Sequence, residues 1–144
     1  MAAMIKVKKE GAEENEKKES KLTPEIIQGK LFYFSDAAHK LHLDTKSFAQ
    51  HKALGSLYEG LIEFRDDISE MLMGYLDGKR IGSIKIGELP EYSNNAANKL
   101  AEEIKDFAYE LYEYGEEKQF CDIENTAQSL SGLAAKTIYL LTLT

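Results

Sequence analysis

The residues best suited to chemistry lie in one stretch, His39 to Glu70, read as HKLHLDTKSFAQHKALGSLYEGLIEFRDDISE. All three histidines, His39, His42 and His51, fall within its first thirteen residues, and it ends on two carboxylates, Asp66 and Glu70, four positions apart. Imidazole nitrogen combined with carboxylate oxygen is the donor set that iron and zinc favour, whereas calcium takes oxygen almost alone. On a helix, two carboxylates at i, i+4 repel each other by a few tenths of a kcal/mol. A cation between them, or a partner surface carrying one, would relieve that repulsion.

The elements that must position these groups read as helices. Thr23-Pro24-Glu25 combines an N-cap hydroxyl, a proline suited to the first helical position and an acid that meets the helix dipole. From there Ile27, Leu31, Phe34, Ala38 and Leu41 recur at spacings of four and three, the apolar stripe of a bundle helix that ends near Leu43. Asp44-Thr45-Lys46-Ser47 supplies turn and capping oxygens, and a second helix runs from about Ser47 to Leu76. Its inward face is Leu54, Tyr58, Leu61, Ile68 and Leu72, flanked by Phe48, Leu57, Ile62, Phe64 and Met73, and Gly74 and Asp77-Gly78 are its stop signals.

The segment DGKRIGSIKIGELPEY, Asp77 to Tyr92, is too polar and glycine-broken for a helix, yet extended it reaches roughly 50 Å. That is as long as the second helix, so the third can lie parallel to it. Ile81, Ile84 and Ile86 suit a short extended piece on the bundle surface. The third helix, about Ser93 to Glu117, carries Leu100, Ile104, Phe107, Leu111 and Tyr114 inward and closes at Gly115 and the charged turn after it. A fourth, about Asp122 to Leu141, carries Ile123, Ala127, Leu130, Ala134, Ile138 and Leu141, with Gly132 and the alanines open to close approach by a neighbour. The expected fold is all-α, a four-helix bundle with one long crossover between the second and third helices.

Helical phase then places the candidate ligands. At about 100° per residue, His42 lies at the edge of the first helix's core face and His39 further round. His51 is at the edge of the second helix's core face, whereas Asp66 and Glu70 turn away from it. His51 and Asp66 are separated by fifteen residues, roughly 22 Å along a straight helix. One chain therefore cannot wrap both pairs around one ion. In a two-fold dimer with antiparallel second helices, His42 and His51 of one copy would meet Asp66 and Glu70 of the other, giving two equivalent sites.

This pattern, LHL-DTKSFAQH followed after fourteen intervening residues by D-x-x-x-E, resembles the signature of the Dps (DNA-binding protein from starved cells) branch of the ferritin-like superfamily. It looks closest to small uncharacterised Dps-like proteins encoded by bacteriophages. His51, Asp66 and Glu70 sit at the family's spacing, and Tyr58 at its aromatic position. The family's first histidine corresponds to His42 by motif and phase, and to His39 by separation from His51. Leu43 stands where the family has tryptophan, the turn between the first two helices is shorter, and Met71 replaces a usual arginine. The resemblance implies a ferritin-like fold over residues 23–144 and a ferroxidase that binds and oxidises Fe(II) at the dimer interface, with zinc as the alternative metal. It also implies iron storage or protection against oxidative stress inside a closed, dodecameric shell. The other common di-iron arrangement, Glu-x-x-His on two helices of one bundle, is excluded because no histidine follows His51.

Composition frames the alternatives. The formal charge of −7 and pI near 5.0 argue against a general nucleic-acid binder. Residues 1–22 carry six lysines and five glutamates and read as a flexible charged tail ahead of the bundle domain. Lys6, Lys8 and Lys9 leave room there for a weak DNA contact. A single cysteine, no leader-like apolar core and no run near the roughly 18 apolar residues needed to span a bilayer point to a soluble protein of the cytoplasm, in a bacterial host if phage-encoded. The competing reading is a non-enzymatic oligomeric scaffold or assembly protein that keeps the fold without ferroxidase activity, its histidines ordinary helix-end residues and its acids solvated. Arg65 falls near the core face by phase, and a buried ion pair is the one partner the sequence suggests for it.

Overall fold

Thr23 starts the bundle as its type and position require. Its hydroxyl accepts a 3.2 Å hydrogen bond from the Ile26 amide, and Pro24 occupies the first helical position. The computed structural model describes residues 20–143, in which four helices follow in order: α1 (Pro24–Asp44), α2 (Phe48–Tyr75), α3 (Ala96–Lys118) and α4 (Cys121–Leu140). No strand occurs among the described residues, so Ile81, Ile84 and Ile86 form no extended pairing there. Of the charged tail, residues 1–19, with Lys6, Lys8 and Lys9, lie outside the described residues. Its last three residues are seated on the bundle. Leu22 is buried in the core together with Ile27, the spacing of a hydrophobic staple across the cap, and the Ser20 amide donates to Glu117 at 2.9 Å.

The turn between α1 and α2 is closed by its own side chains. Ser47 caps α2 by accepting from the Gln50 amide at 3.2 Å, and Thr45 Oγ1 accepts from the Ser47 amide at 3.1 Å. At the other end of α2, Asp77 and Gly78 take positive φ (58° and 80°), the Gly78 amide bonds Met73 O at 2.8 Å, and the Asp77 amide bonds Gly74 O at 3.3 Å. This pair of bonds is a Schellman stop. Gly74 therefore belongs to the last helical turn, and Asp77-Gly78 alone ends the helix.

Residues 76–95 make the crossover. They leave the far end of α2 at Leu76 and return to its beginning, where the Tyr92 hydroxyl donates to Gln50 Oε1 at 3.0 Å. On the way the chain lies directly on α1: a Cβ built on buried Gly29 would sit 2.5 Å from the Lys85 carbonyl oxygen. Only glycine admits that approach. α3 thus starts beside the start of α2 and runs parallel to it. The helices in principal contact are α1 with α2, α3 with α4, α2 with α4 and α1 with α3, and this topology makes each of those pairs antiparallel. The result is an all-α four-helix bundle with a single long crossover.

The core is the set of stripes that helical periodicity marks out. Ile27, Leu31, Leu41, Leu54, Leu61, Ile68, Leu72, Ile104, Leu111, Ile123 and Leu130 are fully buried, each contributing roughly 1.5–3 kcal/mol by leaving water. Several positions differ from expectation, and Tyr58 and Leu141, expected inward, are only half-buried. Phe48, at the first turn of α2, is 75% exposed, since the bundle has no layer beyond the turn to cover it. A Cβ on Gly132 would meet open space; the close approach is at Gly60, where a Cβ would stand 2.9 Å from Leu133 Cδ2 across the α2–α4 contact. Thr137 rather than Ile138 is fully inside, its hydroxyl donating back to Leu133 O at 2.8 Å so that burial leaves no polar group unpaired. No helix among the described residues is long and apolar enough to cross a membrane.

Candidate metal centre

His42 and His51 face each other across the α1–α2 turn and hold each other's backbone. His42 Nδ1 lies 2.6 Å from His51 O, and His51 Nδ1 lies 2.9 Å from His42 O. A carbonyl can only accept, so both Nδ1 atoms must carry hydrogen and donate. The chemistry of this exchange has two parts. The His42 carbonyl belongs to the last turn of α1, where the helix supplies no amide, and the His51 ring takes that place. On each neutral ring, the remaining nitrogen, Nε2, then keeps its lone pair. The two rings stack at 3.7 Å between centroids and 18° between planes. The stack and the two hydrogen bonds fix the rings against each other.

Neighbouring residues set the clasp. A Cβ at Gly55 would lie 3.1 Å from His42 Cε1, so the glycine one turn after His51 gives the His42 ring its room. Tyr58 meets the edge of His42 at 5.2 Å and stacks flat on His39 at 4.1 Å. His39 is exposed and belongs to the same aromatic cluster, one ring further out than His42, with 6.1 Å between their centroids. Gln50, beside His51, is held by Thr45 Oγ1 at 2.9 Å and by the Tyr92 hydroxyl, which ties the clasp to the end of the crossover. The clasp and this tie were not expected from spacing; Gly55 at i+4 from His51 was the signal available.

The acids lie elsewhere. Asp66 and Glu70 are both exposed on α2, as helical phase required, and Asp66 Oδ1 accepts from Arg65 Nε at 3.3 Å. Among the described residues of one chain, no group of three or more His, Cys, Asp or Glu side chains converges to hold a metal ion. The structure brings His42 to His51 and leaves Asp66 and Glu70 as a separate pair. Arg65 forms no buried ion pair: its guanidinium carbon stands 4.4 Å from the centroid of the Phe32 ring, and its pairing with Asp66 is at the surface. On α3, Glu102, Glu103, Asp106 and Glu110 are exposed.

Two large apolar side chains flank the clasp and face solvent, Leu43 at 68% and Phe48 at 75% exposure. They give the turn end of the bundle an exposed apolar patch beside the two histidines.

No curated protein and no solved structure matches the chain. A family model matches residues 42–141, a span that opens on His42 and takes in the rest of the clasp, the crossover and all but the tips of the bundle after it. The chain belongs to the family DUF5856, a family of unknown function.

Proposed function

We propose that this chain is a Dps-like member of the ferritin-like superfamily that binds and oxidises Fe(II) between two copies of itself. His42 and His51 of one copy supply Nε2, and Asp66 and Glu70 of the other supply carboxylate oxygen. The observation that carries this reading is the reciprocal clasp, which commits both Nδ1 atoms to backbone carbonyls and so leaves Nε2 of each ring as the nitrogen that could take a ligand. Three further features support it. The acids are exposed and unable to reach the histidines within one chain, the topology has the single crossover of ferritin-like bundles, and Leu43 and Phe48 offer apolar area beside the clasp.

In such a site the neutral imidazoles and charged carboxylates suit iron, with zinc as the competing occupant. Fe(II) is the substrate. Two Fe(II) each give one electron to a peroxide, whose oxygen–oxygen bond breaks, and water supplies the remaining oxygen of the ferric oxyhydroxide while protons are released. Residues of this chain bind and position the iron; the chain's net charge of −7 draws cations toward it. Iron storage or oxidative protection, and assembly beyond a dimer, belong to the same proposal.

A second reading rests on the same clasp: with both Nδ1 atoms committed to backbone carbonyls, the histidine pair also serves as a lock on the α1–α2 turn of a non-enzymatic assembly protein. Anaerobic Fe(II) loading followed by peroxide separates the two. The ferroxidase reading expects saturable Fe(II) binding, peroxide-dependent oxidation and loss of both in Asp66→Asn/Glu70→Gln, a variant that leaves the clasp intact. Oxidation no faster than in protein-free buffer would leave the turn-lock reading standing and end the other.

A further inference from the structure

α1, the crossover and α3 enclose an open groove of about 810 Å³. Its floor is apolar and aromatic, from Ile26, Tyr33, Phe34 and Phe107. Its rim is acidic: Glu25, Glu88, Glu103, Asp106 and Glu110 stand there against two lysines, Lys30 and Lys85. The Lys30 ammonium stands 5.8 Å from the Phe107 centroid, so one face of the floor already meets a cation. Burial, and then the neighbouring Glu103, push the Tyr33 hydroxyl above its ordinary pKa. An occupant matching these walls would be extended, with apolar side chains for the floor and positive charges for the rim.

The chain carries a segment of that composition. Residues 1–9, MAAMIKVKK, hold three lysines and no acid, whereas residues 10–19 hold five glutamates and two lysines. Charge is therefore segregated, with a positive end joined to the bundle by an acidic spacer. Within Met4 to Lys9, Ile5 and Val7 alternate with Lys6 and Lys8, the period that puts apolar and charged side chains on opposite sides of an extended strand.

The path is short enough. The described chain begins at Ser20, bonded to Glu117, and Glu25 and Glu117 both act on Tyr114, which puts that point at the Glu25 end of the groove. From Glu117 along α3 to Glu103 is roughly 21 Å at helical rise. Ten spacer residues reach up to about 33 Å. Tethering also raises the local concentration of the segment to the millimolar range.

We propose that this groove is the docking site of the chain's own amino-terminal lysine segment, Met4 to Lys9. The charges of Lys6, Lys8 and Lys9 complement the rim carboxylates, and the apolar Ile5 and Val7 complement the aromatic floor. The acidic spacer has the same sign of charge as the rim and does not match it. Docking withholds these lysines from any nucleic acid, so groove and polyanion compete for one segment.

Zero-length carbodiimide cross-linking of the full chain, read by peptide mapping, tests this. The expected result is amide links from Lys6, Lys8 or Lys9 to Glu103, Asp106 or Glu110 within one chain, weakened at about 0.5 M salt, where screening is short-ranged. Glu103→Lys/Asp106→Lys should reduce them at least tenfold, and Glu59→Lys/Glu63→Lys, on the exposed side of α2, should leave them unchanged. Circular dichroism confirms that both variants are folded. Links spread evenly over the acids of all four helices, links unaffected by the groove reversal, or links joining an isotope-labelled chain to an unlabelled one would each overturn the proposal.

Discussion

Removing the His42 and His51 rings singly and together isolates the stack between them, because each ring's hydrogen bond goes to the other residue's backbone. His51→Ala loses its bond to His42 O and the stack, while His42 Nδ1 keeps His51 O as acceptor; His42→Ala is the mirror case. A hydrogen bond contributes about 0.5–1.5 kcal/mol, and a ring stack with centroids 3.7 Å apart about the same. Each single variant should then be destabilised by about 1–3 kcal/mol. The double variant loses both bonds but only one stack. It should fall short of the sum by about 0.5–1.5 kcal/mol, the size of the stack alone. Helix-propensity changes from His to Ala cancel in the cycle. Urea unfolding of the four proteins, at pH 8, one protein concentration and with chelator present, measures it. Additivity within about 0.3 kcal/mol would mean the rings do not touch, and the clasp as described would be wrong.

Gly29→Ala gains about 1 kcal/mol of helix propensity but puts a Cβ 2.5 Å from the Lys85 carbonyl, a backbone atom that cannot rotate away. Net destabilisation of about 1–2 kcal/mol and faster tryptic cleavage at Lys79, Arg80 and Lys85 are expected; equal or greater stability would refute the seating of the crossover on α1. Gln119 holds φ at 61°, where a Cβ is strained, so Gln119→Gly should stabilise by about 0.5–1 kcal/mol in urea unfolding. The Tyr114 hydroxyl is pushed above its ordinary pKa by burial, then by Glu117 and Glu25, and Tyr33 likewise by burial and Glu103. Above the unfolded value near 10 the unfolded chain releases protons that the folded chain retains, so stability falls as pH rises through that window. Unfolding titrations between about pH 9 and 11 should show this fall, and it should be shallower in Tyr114→Phe.

The helices were legible because their signals are local. Thr23-Pro24 and Ser47 announce starts by side-chain chemistry that acts within one turn, and the stripe of α1 from Ile27 to Leu41 is buried as its period demanded. The crossover was legible from its length alone. What depends on inter-helix register was not. Gly132 and Gly60 look alike in sequence, yet only Gly60 meets a neighbour, because the α2–α4 offset decides which glycine faces Leu133. Leu22 was hidden among charges, its role set by Ile27 on the far side of the cap. For the candidate site, phase placed His42, His51, Asp66 and Glu70 on the right faces and excluded a one-chain cluster. It could not show that the two histidines exchange hydrogen bonds with each other's carbonyls, since that geometry arises only when the turn folds α1 onto α2.

The central claim is that one half-site comes from each of two copies, and complementation between defective chains tests it most directly. One chain carries His42→Ala/His51→Ala and the other Asp66→Asn/Glu70→Gln; each alone should fail to oxidise Fe(II). Mixed by unfolding and refolding at equal amounts, half the dimers become hybrids, and two-fold symmetry leaves each hybrid one intact site and one doubly broken site. The account expects the mixture to recover about a quarter of the unmodified activity. No recovery in a mixture shown to contain hybrids, or undiminished activity in either parent, would contradict it.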